Sequence, residues 1–157
     1  MLRFTLNADD GAWVQAVGKY MLNMGSVELM TRNLIFSIHG TDSVAFYGDT
    51  LAARLGYLRS RFPRDPQDRH RWAMRIFGVA DKHVKFRNSV AHSSVVLQGD
   101  DTGPQGIVGL LDLTPKDATN LGQIISLEEL NGRVNESNLV ARDFLTMQED
   151  YKRGRVV

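Results

Sequence analysis

The chain of 157 residues has no cysteine. Disulfides, thiolate metal ligands and thiol nucleophiles are therefore excluded, and any core must hold without covalent staples. At this length that is no handicap, since one domain of this size buries a substantial core. No apolar run approaches the ~20 residues that cross a bilayer, and the opening MLRFTLNADD lacks the apolar stretch of a secretory signal. A cytoplasmic location away from membranes is the expectation. Nucleotide-binding glycine patterns are missing too: Gly99, Gly103 and Gly106 match neither G-x-G-x-x-G nor a lysine-containing P-loop. There is no G-x-S-x-G elbow. The four histidines, His39, His70, His83 and His92, show no zincin spacing. No metal and no cofactor is expected.

Net charge is only +1, but it is unevenly spread. Residues 1–53 carry a net −2, residues 54–87 a net +7 and residues 88–157 a net −4. A local positive field of this kind attracts phosphates. Its plain alternative is a set of arginines that solvate helices. Tyr57, Phe62, Trp72 and Phe86 within the basic stretch read as packing residues, not as platforms for stacked bases.

Apolar spacing of three and four residues predicts four helices. The first spans about 12–38, with Trp13, Val17, Tyr20, Met21, Met24, Val27, Met30, Leu34 and Ile38 on one stripe. Asn7, Asp9 and Asp10 offer caps, and His39-Gly40 a stop. The second spans about 49–61, with Leu51, Leu55, Leu58 and Phe62 inward, and Pro63 and Pro66 interrupt it. The third spans about 67–91, with a stripe of Trp72, Ile76, Val79, Ala80, Val84 and Val90. Ser126-Leu127-Glu128-Glu129 is a capping box that starts the last helix, whose stripe is Leu130, Val134, Ala141, Phe144, Leu145 and Met147. Between the last two helices, residues 94–114 read as a β-hairpin or extended excursion, with turn chemistry at 99–106. The tail 151–157 is basic and expected to fray. The expected fold is all-α: one domain over 1–157, a four-helix up-down bundle with that excursion before the last helix.

The segment Lys85-Phe86-Arg87-Asn88-Ser89-Val90-Ala91-His92-Ser93 carries the chemistry. It closes the third helix. Arg87 falls in the last full turn, and His92 at or just past the end. Positions five apart on a helix are rotated by about 140°. The two side chains converge only if the helix tightens or ends, or if a second chain supplies one of them. Counting back from Arg87 gives Val84, His83, Ala80 and Ile76, so a guanidinium and an imidazole interrupt an inward stripe. A half-buried Arg needs anionic partners. Glu28, at the border of the first helix's stripe, is one candidate, although a local Glu28–Arg32 pair competes with it. In a purely architectural alternative, Arg87 neutralises a carboxylate and His92 caps carbonyls at the helix end. Ser93 and Ser94 then serve as caps or solvent contacts.

At Arg87-Asn88-Ser89-Val90-Ala91-His92 the chain resembles the HEPN superfamily, whose members carry Arg, a polar residue, a short spacer and His at the end of a bundle helix. Ala91 before the histidine and the small Ser93 after it agree with that texture, and the resemblance covers about residues 10 to 150. It implies a metal-independent ribonuclease acting as a homodimer, with both motifs facing one cleft and the RNA 2′-hydroxyl attacking the adjacent phosphate. His92 would be the general base or acid, Arg87 would hold the phosphate, and Asn88 would orient the site. The setting implied is a toxin or phage-defence system, with a cognate antitoxin or regulatory protein as partner. Ser94 departs from the subgroup that has a tyrosine two positions after the histidine, which puts that subgroup's regulatory modification in doubt. A binding or dimerisation module without catalysis is the alternative.

Overall fold

The computed structural model describes residues 2–5, 10–39, 50–92, 95–100, 103–109 and 124–153. Four helices dominate: α1 (Gly11–His39), α2 (Leu51–Arg61), α3 (Gln67–His92) and α4 (Leu127–Lys152). Four short strands accompany them: β1 (Leu2–Thr5), β2 (Val95–Asp100), β3 (Gly103–Gly109) and β4 (Ile124–Ile125). The helical class and the number of helices are those the periodicity predicts.

Helix ends follow local chemistry. The Asp10 carbonyl accepts the amides of Trp13 and Val14 at 2.8 and 3.1 Å. The other expected caps, Asn7 and Asp9, and the stop residue Gly40 lie outside the described residues. Thr50 caps α2, its hydroxyl accepting the Ala53 amide at 3.2 Å. The chain turns extended at Phe62, ahead of Pro63, which cannot donate to a further turn. Ser126 caps α4 by accepting the Glu129 amide at 3.1 Å, one half of the predicted capping box. The tail differs from expectation at its start. Tyr151 and Lys152 continue α4, and the Arg153 amide still reaches the Glu149 carbonyl at 3.1 Å.

The chain divides into two compact units, residues 1–22 with 85–136 and residues 23–84 with 137–157. α1, α3 and α4 each give a segment to both, whereas α2 belongs wholly to the second.

The second unit has a core of Met24, Val27, Leu34 and Ile35 from α1, Leu51, Leu55 and Leu58 from α2, Ala73, Ile76, Phe77 and Ala80 from α3, and Val140, Phe144 and Met147 from α4. Each large apolar side chain buried this way contributes about 1.5–3 kcal/mol. Phe77 stands at the centre of an aromatic run, 5.6 Å from the Phe62 ring and 5.6 Å from Phe144. The inward face of α3 is turned from the expected one. Ala73 and Phe77 are buried beside the expected Ile76 and Ala80, while Trp72, Val79, Val84 and Val90 are only half-buried. On α4, Leu145 is exposed, and Val140 and Ser137 take the inward places. A polar seam runs through this core. Arg54 is buried, and its Nε donates to the Thr31 hydroxyl at 3.1 Å. That hydroxyl donates in turn to the Glu28 carbonyl at 2.8 Å.

In the first unit, the four strands form an antiparallel sheet in the order β1-β2-β3-β4. Leu97 pairs with both Phe4 and Ile107, and Ile107 with Ile125. β2 and β3 occupy the expected excursion but run into its predicted turn, with Asp100 opposite Gly103. Pro104, which has no amide to give, sits beside the register shift at Gln98/Gly99, where the ladder is already broken. Residues 110–114 of the excursion lie outside the described residues. Buried Ile125 of β4 packs with Trp13, Ala16 and Leu130, and Val17, Phe86, Leu127 and Val134 flank that cluster. Because β4 leads through Ser126 straight into α4, the same cap that starts the helix fixes Ile125 in this core.

Candidate functional site

α3 remains α-helical through His92, its last residue. The motif is therefore one rigid stretch, and positions 87 and 92 stay about 140° apart around the helix axis. The tightening that would bring them together on one chain does not occur in the backbone. Ser93 lies outside the described residues, as does the side chain of His92.

Arg87 is half-buried, and its Nη1 donates to Asn88 Oδ1 at 3.1 Å. Asn88 thus gives the Arg87 guanidinium a neutral acceptor.

The elements around Arg87 were only partly legible in the sequence. Phe86, next to it on α3, meets Tyr20 of α1 edge-on, with ring centroids 5.1 Å apart. The Arg133 guanidinium of α4 lies over the Phe86 ring, 4.5 Å from its centroid. Its Nη2 pairs with Glu129, one turn earlier, at 3.2 Å. Tyr20 is fully buried. Burial pushes its hydroxyl far above the usual phenol range, while the charges of Arg133 and then Arg87 pull it down and Glu136 adds a smaller push upward. Two guanidinium groups from different helices thus act on one buried hydroxyl. Tyr20 and Phe86 look like ordinary stripe residues in the sequence. Arg133 is signalled only as the (i, i+4) partner of Glu129.

Glu28 and His83 belong to the second unit. Glu28 is half-buried with its Oε1 atom enclosed, and His83 is buried as the inward stripe suggests.

The basic stretch divides between two uses. Arg54 is internal, Arg59 pairs with Asp81 at 3.2 Å and donates to the Phe77 carbonyl at 3.0 Å, and Arg69 pairs with Asp150. These are structural. Arg71, Arg75, Lys82 and Lys85 are exposed on α3. Their steps of four, seven and three place them on one helix face. Position 92, seven residues beyond Lys85, continues that face.

Among the described residues no cluster of His, Asp or Glu is arranged to hold a metal, and no helix is long and apolar enough to cross a membrane. No family model, no curated protein and no solved structure matches the chain.

Proposed function

We propose that the chain is a metal-independent endoribonuclease of the HEPN type, working as a homodimer in a cytoplasmic toxin or phage-defence system with a cognate antitoxin or regulatory protein. The observation that carries it is Arg87, a guanidinium oriented by neutral Asn88 at the end of a helix that closes on His92. The cationic face of α3 supports it, since Arg71, Arg75, Lys82 and Lys85 offer a phosphate backbone a track toward position 92. In the reaction, an imidazole takes the proton of the RNA 2′-hydroxyl and the oxygen attacks the adjacent phosphorus. The 5′-oxygen departs with a proton, leaving a 2′,3′-cyclic phosphate. Arg87 neutralises the charge that grows on the non-bridging oxygens. Wild type is expected to cleave RNA in excess EDTA, and Arg87→Ala and His92→Ala to lose that cleavage while keeping the wild-type melting temperature. Equal cleavage by both variants would refute these roles.

The second reading, a dimerisation module without catalysis, is favoured by one observation. Leu22, Leu29 and Phe36 of α1 are 74%, 51% and 42% exposed. They are spaced by seven, so they share a face. Gly18 and Gly25 lie on it, and a Cβ added at either would meet nothing within 4 Å. Glycine inside a helix costs about 1 kcal/mol relative to alanine, and packing among the described residues does not demand it here. A stripe alternating large knobs with glycine gaps is self-complementary to a second copy.

A further inference from the structure

α1 carries a matched series of knobs and gaps on its outward face. Leu22, Leu29 and Phe36 are exposed large apolar residues at seven-residue intervals. Gly11, Gly18 and Gly25 are exposed and repeat at the same interval. The steps from Gly18 to Leu22 and from Leu22 to Gly25 are four and three, so the two series alternate along one seam, as the a and d positions of a heptad do. Gln15 and Arg32, both exposed, complete it. A Cβ added at any of the three glycines would meet nothing within 4 Å among the described residues. Glycine weakens a helix wherever it stands inside one, and large apolar side chains left in water forgo their burial. The seam thus joins two features that cost a single chain stability and that offset each other once a second such helix is laid against it.

We propose that α1 docks antiparallel on the α1 helix of a second copy of this chain, in the register that seats each large side chain over a glycine. Leu22 meets the partner's Gly25, Leu29 the partner's Gly18 and Phe36 the partner's Gly11, and two-fold symmetry repeats each pair. A second copy fits because the gaps that one seam needs are those that the other carries, at the same interval and in the same number. The register also sets Arg32, the seam's one ionisable residue, against the partner's Gln15, whose amide oxygen accepts from a guanidinium. A parallel in-register pair would do the opposite. Glycine would face glycine across a gap, and Arg32 would face the partner's Arg32, like charge against like. Shape and charge therefore agree on the antiparallel direction. The inference rests on the outward face of α1 being a dimer interface, and it adds which way the copies run and which residues meet.

The chain has no cysteine, so a single introduced one carries a nitroxide label without background. Ala12 is exposed beside the seam. In the antiparallel register, position 12 of one copy lies opposite position 35 of the other, which separates the two Ala12→Cys labels by about 35 Å along the helix axes. A parallel pair would hold them side by side, about 10 Å apart. Pulsed electron spin resonance on the labelled full chain reads the difference. Gly25→Leu supplies the second readout, because it fills the gap that Leu22 of the other copy needs. Its dimer dissociation constant in sedimentation should rise about tenfold or more. Its monomer should melt no lower than wild type, since leucine favours a helix over glycine. A dimer whose labels lie about 10 Å apart, or whose dissociation constant Gly25→Leu leaves unchanged, overturns this register while the dimerisation reading stands. A wild type that stays monomeric at the highest concentration reached overturns that reading and takes the inference with it.

Discussion

Tyr20 ties the stability of the first unit to alkaline pH. Its hydroxyl is fully buried, and burial raises its proton affinity more than Arg133 and Arg87 lower it. A raised folded value means the native state holds the proton more tightly than the unfolded chain. The resulting stability is fully present below the unfolded phenol value of about 10 and is lost as pH rises toward the folded value. Within that window, one such group costs about 1.4 kcal/mol of stability per pH unit. Taking pH from about 9 to about 11.5 should therefore cost wild type about 2 kcal/mol through Tyr20 alone. Tyr20→Phe removes the ionisable group and keeps the ring that meets Phe86. Its own offset, from the lost hydroxyl, does not vary with pH. Denaturant unfolding of both proteins across this range isolates the effect, because every other tyrosine is common to the pair. Wild type should lose about 2 kcal/mol relative to Tyr20→Phe over the range. A difference between the two proteins that stays constant with pH would refute the burial argument.

Thr31 is expected to matter through Arg54. Thr31→Val keeps shape and helix propensity but removes the acceptor of a buried guanidinium donor, which should cost about 1–3 kcal/mol in chemical denaturation; a variant as stable as wild type would show that the bond contributes nothing. Leu29 tests the exposed face of α1. Leu29→Glu should leave the monomer's melting temperature within experimental scatter and abolish self-association in analytical ultracentrifugation, whereas an unchanged sedimentation profile would remove that face from any dimer.

The helices were legible because their signals are local. The apolar steps, the Ser126 box and the prolines at 63 and 66 act within one or two turns, and each sits where the structure ends or begins a helix. The rotated face of α3 was harder to read. Bulk favours Trp72 and the valines as inward residues, but Ala73 and Ala80 bring the helix close, and Phe77 then fills the space between Phe62 and Phe144. Hydrophobicity alone does not reveal which of two adjacent faces has the better-fitting partners. β1 and β4, of four and two residues, are too short to show any period. Their pairing depends on β2 and β3, which no local window contains. The motif itself was visible. Arg87 is half-buried, as its place on the inward stripe suggests, and Arg54 is fully enclosed as well. Arg133 and Tyr20 meet Phe86 through tertiary contacts, which leave no mark on sequence spacing.

The unbroken course of α3 bears on how catalysis would be shared. With positions 87 and 92 about 140° apart on one rigid helix, one chain does not present both residues to a single phosphate as neighbours on its helix. A two-fold dimer solves this if each phosphate meets the arginine of one copy and the histidine of the other. That arrangement makes a sharp demand on mixtures. Arg87→Ala and His92→Ala are each expected to be inactive alone. A mixed dimer of the two contains one composite site with both groups intact and one with neither. If subunits exchange freely, half the dimers are mixed and half of their sites work, so an equimolar mixture should recover about a quarter of wild-type cleavage. Sites built within single chains would recover none. A silent mixture, with subunit exchange verified by differently sized tags, would therefore rule out the composite site and require the chain to bend or unwind α3 before it could cleave.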